Sequence, residues 1–292
     1  MTRAWWRPAV AVVLLALVVM LAPLSVVARW THTHVSDTDG YLALVTPLAE
    51  NAAVQSAITE QATTAITARV DLPGLGALVR SQLQRFVQSD AFPDVWKAAN
   101  REAHRQFVGV VTGEGTREVT VEDGTVSLSL AGLGEAVRQS LDERGVPGAS
   151  LIPIIDVSFT IFESEHIVTL QRGFRLLDRT WGLLPFITAL LLAAAIAIAR
   201  SRLRTATIAA LCVALGMGLL AIALAVVRAR YLAELPQTVS APAAAAVFDA
   251  LAAPMRTTLW GWLIAAFGSA VVLAALGIGW TRIVHRPARR TA

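Results

Sequence analysis

Four long stretches of this sequence carry no charged side chain, and they limit its fold more than any other feature. Residues 9–28, 181–199, 205–227 and 259–280 contain no Asp, Glu, Lys, Arg or His. A helix rises about 1.5 Å per residue, so roughly 20 apolar residues cross the hydrocarbon core of a bilayer, which is about 30 Å thick. The mean hydropathy of +0.58 agrees with that use of the chain. The sequence therefore predicts four transmembrane helices.

The arginines predict how these helices are oriented. Nine of them lie before the first stretch, between the second and third, and after the fourth: Arg3, Arg7, Arg200, Arg202, Arg204, Arg282, Arg286, Arg289 and Arg290. These three segments contain no acidic residue. Four crossings place all three on one side, and the positive-inside rule makes that side the cytoplasm. We therefore expect a multi-pass protein of the plasma membrane with both termini in the cytoplasm.

This orientation divides the chain into alternating segments. They are a cytoplasmic N-terminus (1–8), transmembrane helix 1 (9–28), an extracytoplasmic domain (29–180), transmembrane helix 2 (181–199), a cytoplasmic turn (200–204), transmembrane helix 3 (205–227), an extracytoplasmic loop with a short helix (228–258), transmembrane helix 4 (259–280) and a cytoplasmic C-terminus (281–292). The small residues that end at Ala28 resemble a signal-peptidase cleavage site, so a cleaved signal peptide is an alternative for the first apolar stretch. Its length favours an uncleaved signal anchor.

The charge balance argues against nucleic acid as a partner. The pI is about 10.1, yet residues 30–180 carry nineteen acidic and twelve basic side chains. The excess arginine lies beside the apolar stretches, so no basic stripe is available to follow phosphates. The predicted partner is the lipid bilayer. A second partner, either another envelope protein or a second copy of the chain, could bind the acidic domain.

Helical spacing of apolar residues dominates the first half of the extracytoplasmic domain. It predicts a short helix over 40–46, a second over 51–70, a third from Leu75 and a fourth that Ser89 or Asp90 caps. The second helix is predicted to bury one face, made of Val54, Ile58, Ala62, Ile66 and Val70. Asp37 or Asp39 is suited to cap the first helix.

The spacing then changes to a period of two, which predicts strands. Apolar and polar residues alternate over 119–121 and 126–130, on either side of Asp123-Gly124, a favoured pair for a two-residue hairpin turn. That turn pairs Val121 with Val126 and Val119 with Leu128. A further alternating run covers 155–161. We therefore expect an α+β extracytoplasmic domain in which helices accompany a small antiparallel sheet.

Three segments give the chain a resemblance to other proteins. They are Val35-Ser36-Asp37-Thr38-Asp39-Gly40-Tyr41, Trp96-Lys97-Ala98-Ala99-Asn100-Arg101-Glu102-Ala103-His104 and Asp123-Gly124-Thr125-Val126. With them the chain resembles a group of uncharacterised actinobacterial integral membrane proteins that have one N-terminal span, an extracytoplasmic domain and three C-terminal spans. The resemblance covers nearly the whole chain. It implies this architecture and brings no activity, cofactor or catalytic residue.

A candidate metal site follows the first apolar stretch. His32 and His34 bracket Thr33, and Asp37 and Asp39 come shortly after them. Imidazole and carboxylate groups together can bind a divalent cation. The alternative is that the two aspartates cap helices, and that an extended His-x-His directs its rings to opposite faces. We favour the alternative and expect no metal or other cofactor.

A candidate ligand-binding face lies on the predicted fourth helix. Trp96, Asn100 and His104 are spaced four residues apart, so they share one side of that helix. These side chains could bind a ligand, or they could pack within a helical bundle, which we favour.

Enzyme and transport motifs do not stand out. The sequence contains no GxSxG, HExxH, P-loop or GxGxxG motif, and ion-coupled transport usually needs ionisable groups within the spans. Small residues in the spans predict close helix packing: Gly216, Gly218, Gly261, Gly268, Ser269, Gly277 and Gly279. The sequence therefore predicts a non-enzymatic envelope module whose outer domain binds a protein partner or ligand. The alternatives are a transporter or transport accessory for an uncharged or lipid-like substrate, and an extracytoplasmic hydrolase without a recognisable motif.

Overall fold

The computed structural model of the protein describes residues 6–68, 75–112, 119–122, 125–129 and 158–284. The helices are α1 (Trp6–Trp30), α2 (Thr38–Val45), α3 (Ala52–Thr67), α4 (Leu75–Val87), α5 (Phe92–Thr112), α6 (Ser164–Thr180), α7 (Leu183–Ile198), α8 (Arg202–Ala233) and α9 (Ala241–Val284), with a π-helical turn at Thr31–Ser36 and a 3-10 helix at Thr46–Glu50. The strands are β1 (Val119–Glu122), β2 (Thr125–Ser129) and β3 (Ser158–Glu163).

The chain separates into two compact units. One, called here the apolar unit, draws on Met1–Arg29, Arg179–Val227 and Pro254–Ala292. The other, called the polar unit, draws on Trp30–Asp178 and Arg228–Ala253. Each unit is described by itself.

Among the residues that the structure describes, three helical segments are long and apolar enough to cross a membrane: Trp6–Ser36, Arg202–Ala233 and Ala241–Gly277. A fourth crossing is reached if Gln171–Thr180 and Leu183–Ile198, which are bent at the break between them, are counted as one span. By length and composition, the chain is therefore a membrane-associated protein with three such helices, or four with the bent pair.

Within the apolar unit, α1 and α8 approach closely at one glycine. A Cβ at Gly216 would lie 2.7 Å from the Val19 carbonyl oxygen and 3.1 Å from Pro23 Cδ. The neighbouring Met217 is 2% exposed. The prediction of glycine-mediated packing thus succeeds at this position, since only the absence of a side chain permits the contact.

The other predicted packing glycines have a different environment. A Cβ at Gly218, Gly261, Gly268 or Gly277 would meet no atom of the described residues within 4 Å, and Gly279 lies outside the residues whose surroundings are described. Ser269 donates to the Ala265 carbonyl of its own helix. The prediction is therefore wrong at the four open glycines, because composition alone does not tell which side of a helix faces a neighbour.

In the described part of the polar unit, the buried clusters form where helices contact one another. Its main cluster consists of Leu42, Val45, Leu48, Val54 and Ala243, from α2, the 3-10 helix, α3 and the first turns of α9. Each is less than a tenth exposed, so burial of these side chains contributes to the hydrophobic stabilisation of the unit. A second cluster joins Ala49, Val87 and Phe92, and so ties α4 and the start of α5 to the 3-10 helix.

Capping residues fix where α2 and α3 begin. The Gly40 amide donates to Asp37 Oδ2 at 2.8 Å, and the amides of Ala53 and Val54 donate to Asn51 Oδ1 at 3.0 and 3.3 Å. Such caps satisfy amides that have no partner within the helix. The expectation that Asp37 or Asp39 caps the first helix resolves in favour of Asp37.

The predicted buried face of α3 is partly wrong. Val54 is buried, but Ile66 is 41% exposed, and Thr59 and Thr63 are buried instead. Their hydroxyls donate to the carbonyls of Gln55 and Thr59 at 2.8 and 2.7 Å. A threonine that bonds its own helix in this way loses most of the penalty for burying a hydroxyl, so it can lie where an apolar residue is expected. Val70 lies outside the described residues.

The α+β class predicted for residues 29–180 is wrong. Most of the described chain is helical, and every residue of the buried clusters belongs to a helix. Residues of β1 and β2 do pair antiparallel, with Val121 opposite Val126 and Val119 opposite Leu128, and β3 pairs with β2. Residues 123–124, 130 and 155–157 of the strand predictions lie outside the described residues.

The segment 228–258, predicted as a loop with a short helix, is mostly helical. Helix α8 continues to Ala233 and α9 starts at Ala241. The first turns of α9 place Ala246, Val247 and Leu251 against the main cluster of the polar unit.

Candidate functional site

The first histidine of the candidate metal site is held by a carboxylate from a distant part of the chain. His32 Nδ1 lies 2.9 Å from Asp178 Oδ1, and Ser36 Oγ donates to the same oxygen at 2.6 Å. His32 and Ser36 belong to the π-helical turn that follows α1. Their contacts with Asp178 therefore link this turn to the end of α6. Sequence reasoning missed Asp178, which is 146 residues from His32 and has no local motif.

The other three candidate metal ligands make separate contacts. His34 Nδ1 lies 2.7 Å from the Thr33 hydroxyl, Asp37 caps α2, and Asp39 pairs with Arg101 at 3.1 Å. Within the described residues, no three His, Cys, Asp or Glu side chains form a group that could hold a metal ion. These residues therefore serve local structure in the polar unit.

The three candidate ligand-binding residues of α5 do come together, facing α2. The Trp96 indole N–H donates to the Val45 carbonyl at 2.8 Å. The Tyr41 hydroxyl donates to Asn100 Oδ1 at 3.2 Å, and Asn100 Nδ2 donates to the Trp96 carbonyl at 2.9 Å. The shared face is thus used to join two helices.

His104 completes this contact and is enclosed by it. Its ring stacks on Tyr41 with centroids 4.1 Å apart, and its Nδ1 lies 3.3 Å from the Thr38 hydroxyl. The residue is 4% exposed, and Nε2 has no hydrogen-bond partner in the described part of the chain. Tyr41 and Thr38 escaped sequence reasoning because they lie about sixty residues earlier and show no periodic relation to α5.

Burial controls the ionisation of these two rings. It lowers the pKa of His104, although the Val35 backbone and the Asp37 carboxylate act in the opposite direction. Burial also raises the pKa of the Tyr41 hydroxyl. Both rings are therefore held in their neutral forms, as a low-polarity contact between helices requires.

Two surface depressions of the polar unit lie away from this cluster. One of about 670 Å³ lies between α2, the 3-10 helix and the start of α5; it is lined by Asp39, Leu42, Ala43, Thr46, Pro47, Glu50, Pro93 and Lys97. This depression is called the α2–α5 pocket. The other, of about 260 Å³, lies between α3 and α4 and has mainly polar walls, including Gln55, Glu60 and Arg80. Neither contains Trp96, Asn100 or His104.

The apolar unit contains a cavity of about 530 Å³ between α1, the break before α7, α8 and α9. Ala22, Val26, Val213 and Met217 form its buried floor, and each is at most 9% exposed. Its walls are mainly apolar. Nothing in the sequence indicated it, because its lining comes from helices far apart in the chain.

No family model, curated protein or solved structure matches the chain. The geometry of the two units is therefore what supports a function.

Proposed function

We propose that the chain is an integral protein of the plasma membrane whose polar unit lies outside the cell and binds another protein of the cell envelope without catalysing a reaction. In this proposal both termini are cytoplasmic, as the arginines beside the apolar stretches favour. The observation that carries the proposal is the α2–α5 pocket, which is open at the surface, whereas the candidate metal-binding and ligand-binding side chains are engaged in structural contacts.

The walls of this pocket suit a protein surface. Ala43, Pro47 and Pro93 provide apolar contact area, while Asp39, Glu50 and Lys97 provide charge at its edge. Small-molecule sites usually enclose most of their ligand. A shallow depression with an apolar floor and a polar rim instead has the make-up of a protein–protein interface.

Charge supports the same kind of partner. Acidic side chains outnumber basic ones by nineteen to twelve over residues 30–180. A partner with a basic rim would be attracted electrostatically and would associate faster at low ionic strength. The proposed partner is therefore a protein that presents an apolar residue framed by Lys or Arg.

The test is photo-crosslinking in living cells with a photoreactive phenylalanine at Ala43. This residue is exposed and lines the α2–α5 pocket. The matched control is the same substitution at Ala65 on α3, which is also exposed but lines none of the described pockets. We expect a discrete protein adduct from Ala43 and none from Ala65. The absence of an adduct at Ala43, or the same adduct at both positions, would overturn the proposal.

A further inference from the structure

We propose that the cavity of the apolar unit binds one acyl chain of an anionic phospholipid, whose phosphate pairs with Arg29. This site goes beyond the proposed binding of an envelope protein and does not depend on it. Its volume of about 530 Å³ lies within the range of about 300–1,000 Å³ that holds small ligands.

The floor of the cavity favours hydrocarbon. Ala22, Val26, Val213 and Met217 present only methyl, methylene and thioether groups. The space is far larger than the roughly 30 Å³ that one water occupies, and apolar cavities of this kind stay dry. An empty space would also forfeit dispersion contacts along its whole lining. A flexible methylene chain would fill the space without water and would supply the dispersion contacts that an empty cavity lacks.

The two hydroxyls in the lining do not change this preference. Ser25 Oγ donates to the Leu21 carbonyl at 2.7 Å, and Thr188 Oγ1 donates to the Leu184 carbonyl at 2.8 Å. The two oxygens lie 3.4 Å from each other. Their hydrogen-bonding needs are met within the protein, so they demand no polar ligand.

The rim of the cavity suits a lipid headgroup. Arg29, Trp181 and Trp262 are among the lining residues, and Phe186 and Trp262 are 75% and 55% exposed. A guanidinium group can donate two parallel hydrogen bonds to phosphate, and tryptophan is enriched at the level of lipid headgroups. The positive charge beside an apolar cavity selects an anionic phospholipid over a zwitterionic one.

The experiment uses the full chain reconstituted into phosphatidylcholine vesicles. These contain a trace of phosphatidylglycerol or phosphatidylcholine with a diazirine near the end of one acyl chain. After illumination, mass spectrometry locates the labelled peptides. We expect label to concentrate on the lining segments of α1, α7 and α8, with phosphatidylglycerol exceeding phosphatidylcholine by about threefold, the effect of one exposed charge pair.

Two glycines provide a matched pair of variants. Gly182 lines the cavity, has helical φ and ψ, and would place a Cβ in open space. Gly268 has equal room for a Cβ but does not line the cavity. Gly182→Leu is expected to reduce labelling of the lining several-fold, and Gly268→Leu to leave it unchanged. Ala189→Leu, at an exposed lining position, gives a second plug if Gly182→Leu does not fold.

The variant Arg29→Gln tests the contribution of the lipid headgroup separately from that of the acyl chain. It is expected to equalise labelling by the two lipids while the labelled positions stay the same. Label spread evenly over the exposed faces of all the apolar helices would overturn the site, as would labelling that neither plug reduces. Equal labelling of the wild-type protein by both lipids would overturn the assignment of an anionic headgroup.

Discussion

His104 gives the polar unit a titratable group that its surroundings keep neutral. The ring is 4% exposed and stacked on Tyr41, and burial lowers its pKa despite the nearby Asp37 carboxylate. An unfolded chain would restore the ordinary pKa of about 6.5. Protonation therefore favours the unfolded chain.

Acidification is accordingly predicted to destabilise the polar unit through this residue. The stability that neutral His104 contributes is complete above about pH 6.5 and falls as the pH decreases towards the lowered pKa of the folded state. In His104→Phe, which keeps an aromatic ring against Tyr41, the fall in Tm between about pH 7.5 and 5.5 should be smaller than in the wild-type protein. Thermal unfolding of the purified full chain measures this.

The control for this experiment is His34→Gln. The His34 ring contacts the neighbouring Thr33 hydroxyl within the π-helical turn, so this variant should keep the pH response of the wild-type protein. An unchanged pH response in His104→Phe would show that His104 does not carry the effect.

At this scale, sequence predicts local roles better than distant partners. The cap at Asp37 and the common face of Trp96, Asn100 and His104 follow from spacing along one helix. The partners of the two histidines lie in other elements. His104 stacks on Tyr41, and His32 contacts Asp178. A single sequence carries no periodic signal that links residues so far apart.

At the scale of elements, α8 has two glycines, two residues apart, whose surroundings differ. A Cβ at Gly216 would lie 2.7 Å from the Val19 carbonyl oxygen of α1, whereas one at Gly218 would meet nothing within 4 Å. Alanine should favour the helix by a similar amount at both positions, so a comparison of the two isolates the contact with α1.

Gly216→Ala is therefore predicted to destabilise the apolar unit by about 1–3 kcal/mol, the usual cost of overpacking. Gly218→Ala should be neutral or slightly stabilising. Thermal unfolding of the two full-length variants in the same detergent provides the comparison. Equal Tm values for both variants would contradict the close approach of α1 and α8.

The element scale also explains why the fold class was mispredicted. Alternation over 119–121 and 126–128 agrees with the antiparallel pairing of β1 and β2, but most of the described chain is helical. The described core comes from residues at helical spacing, such as Leu42 and Val45 on α2. Thr59 and Thr63 entered the buried part of α3 because their hydroxyls bond their own helix, which an apolar pattern does not register.

At the scale of the whole molecule, charge and hydropathy are distributed in blocks. The long apolar helices were predictable because a bilayer imposes a minimum length and excludes ionisable groups. The bent pair at residues 181–182 was less so, since hydropathy does not report a change of helix direction. The cavity was not predictable, because its volume depends on how helices pack.

The proposed orientation predicts which introduced cysteines react with a reagent added outside the cell. In a Cys212→Ser background, Ala65→Cys should react with a membrane-impermeant maleimide in intact cells. Ser201→Cys, in the turn before α8, should react only after lysis. Both positions are exposed, so accessibility within the protein does not distinguish them. The reverse pattern would refute the orientation.

Helix α9 runs without interruption from Ala241 to Val284. Near its start Ala243 is buried, and further along Leu259 and Ala270 are buried. Successive residues of a helix are rotated by about 100°. One inserted or deleted residue between Leu259 and Ala270 would therefore turn Ala270 and its described neighbours on α9 away from their present direction within the apolar unit. Substitutions on the exposed side of α9 should be tolerated, whereas changes in its length should not.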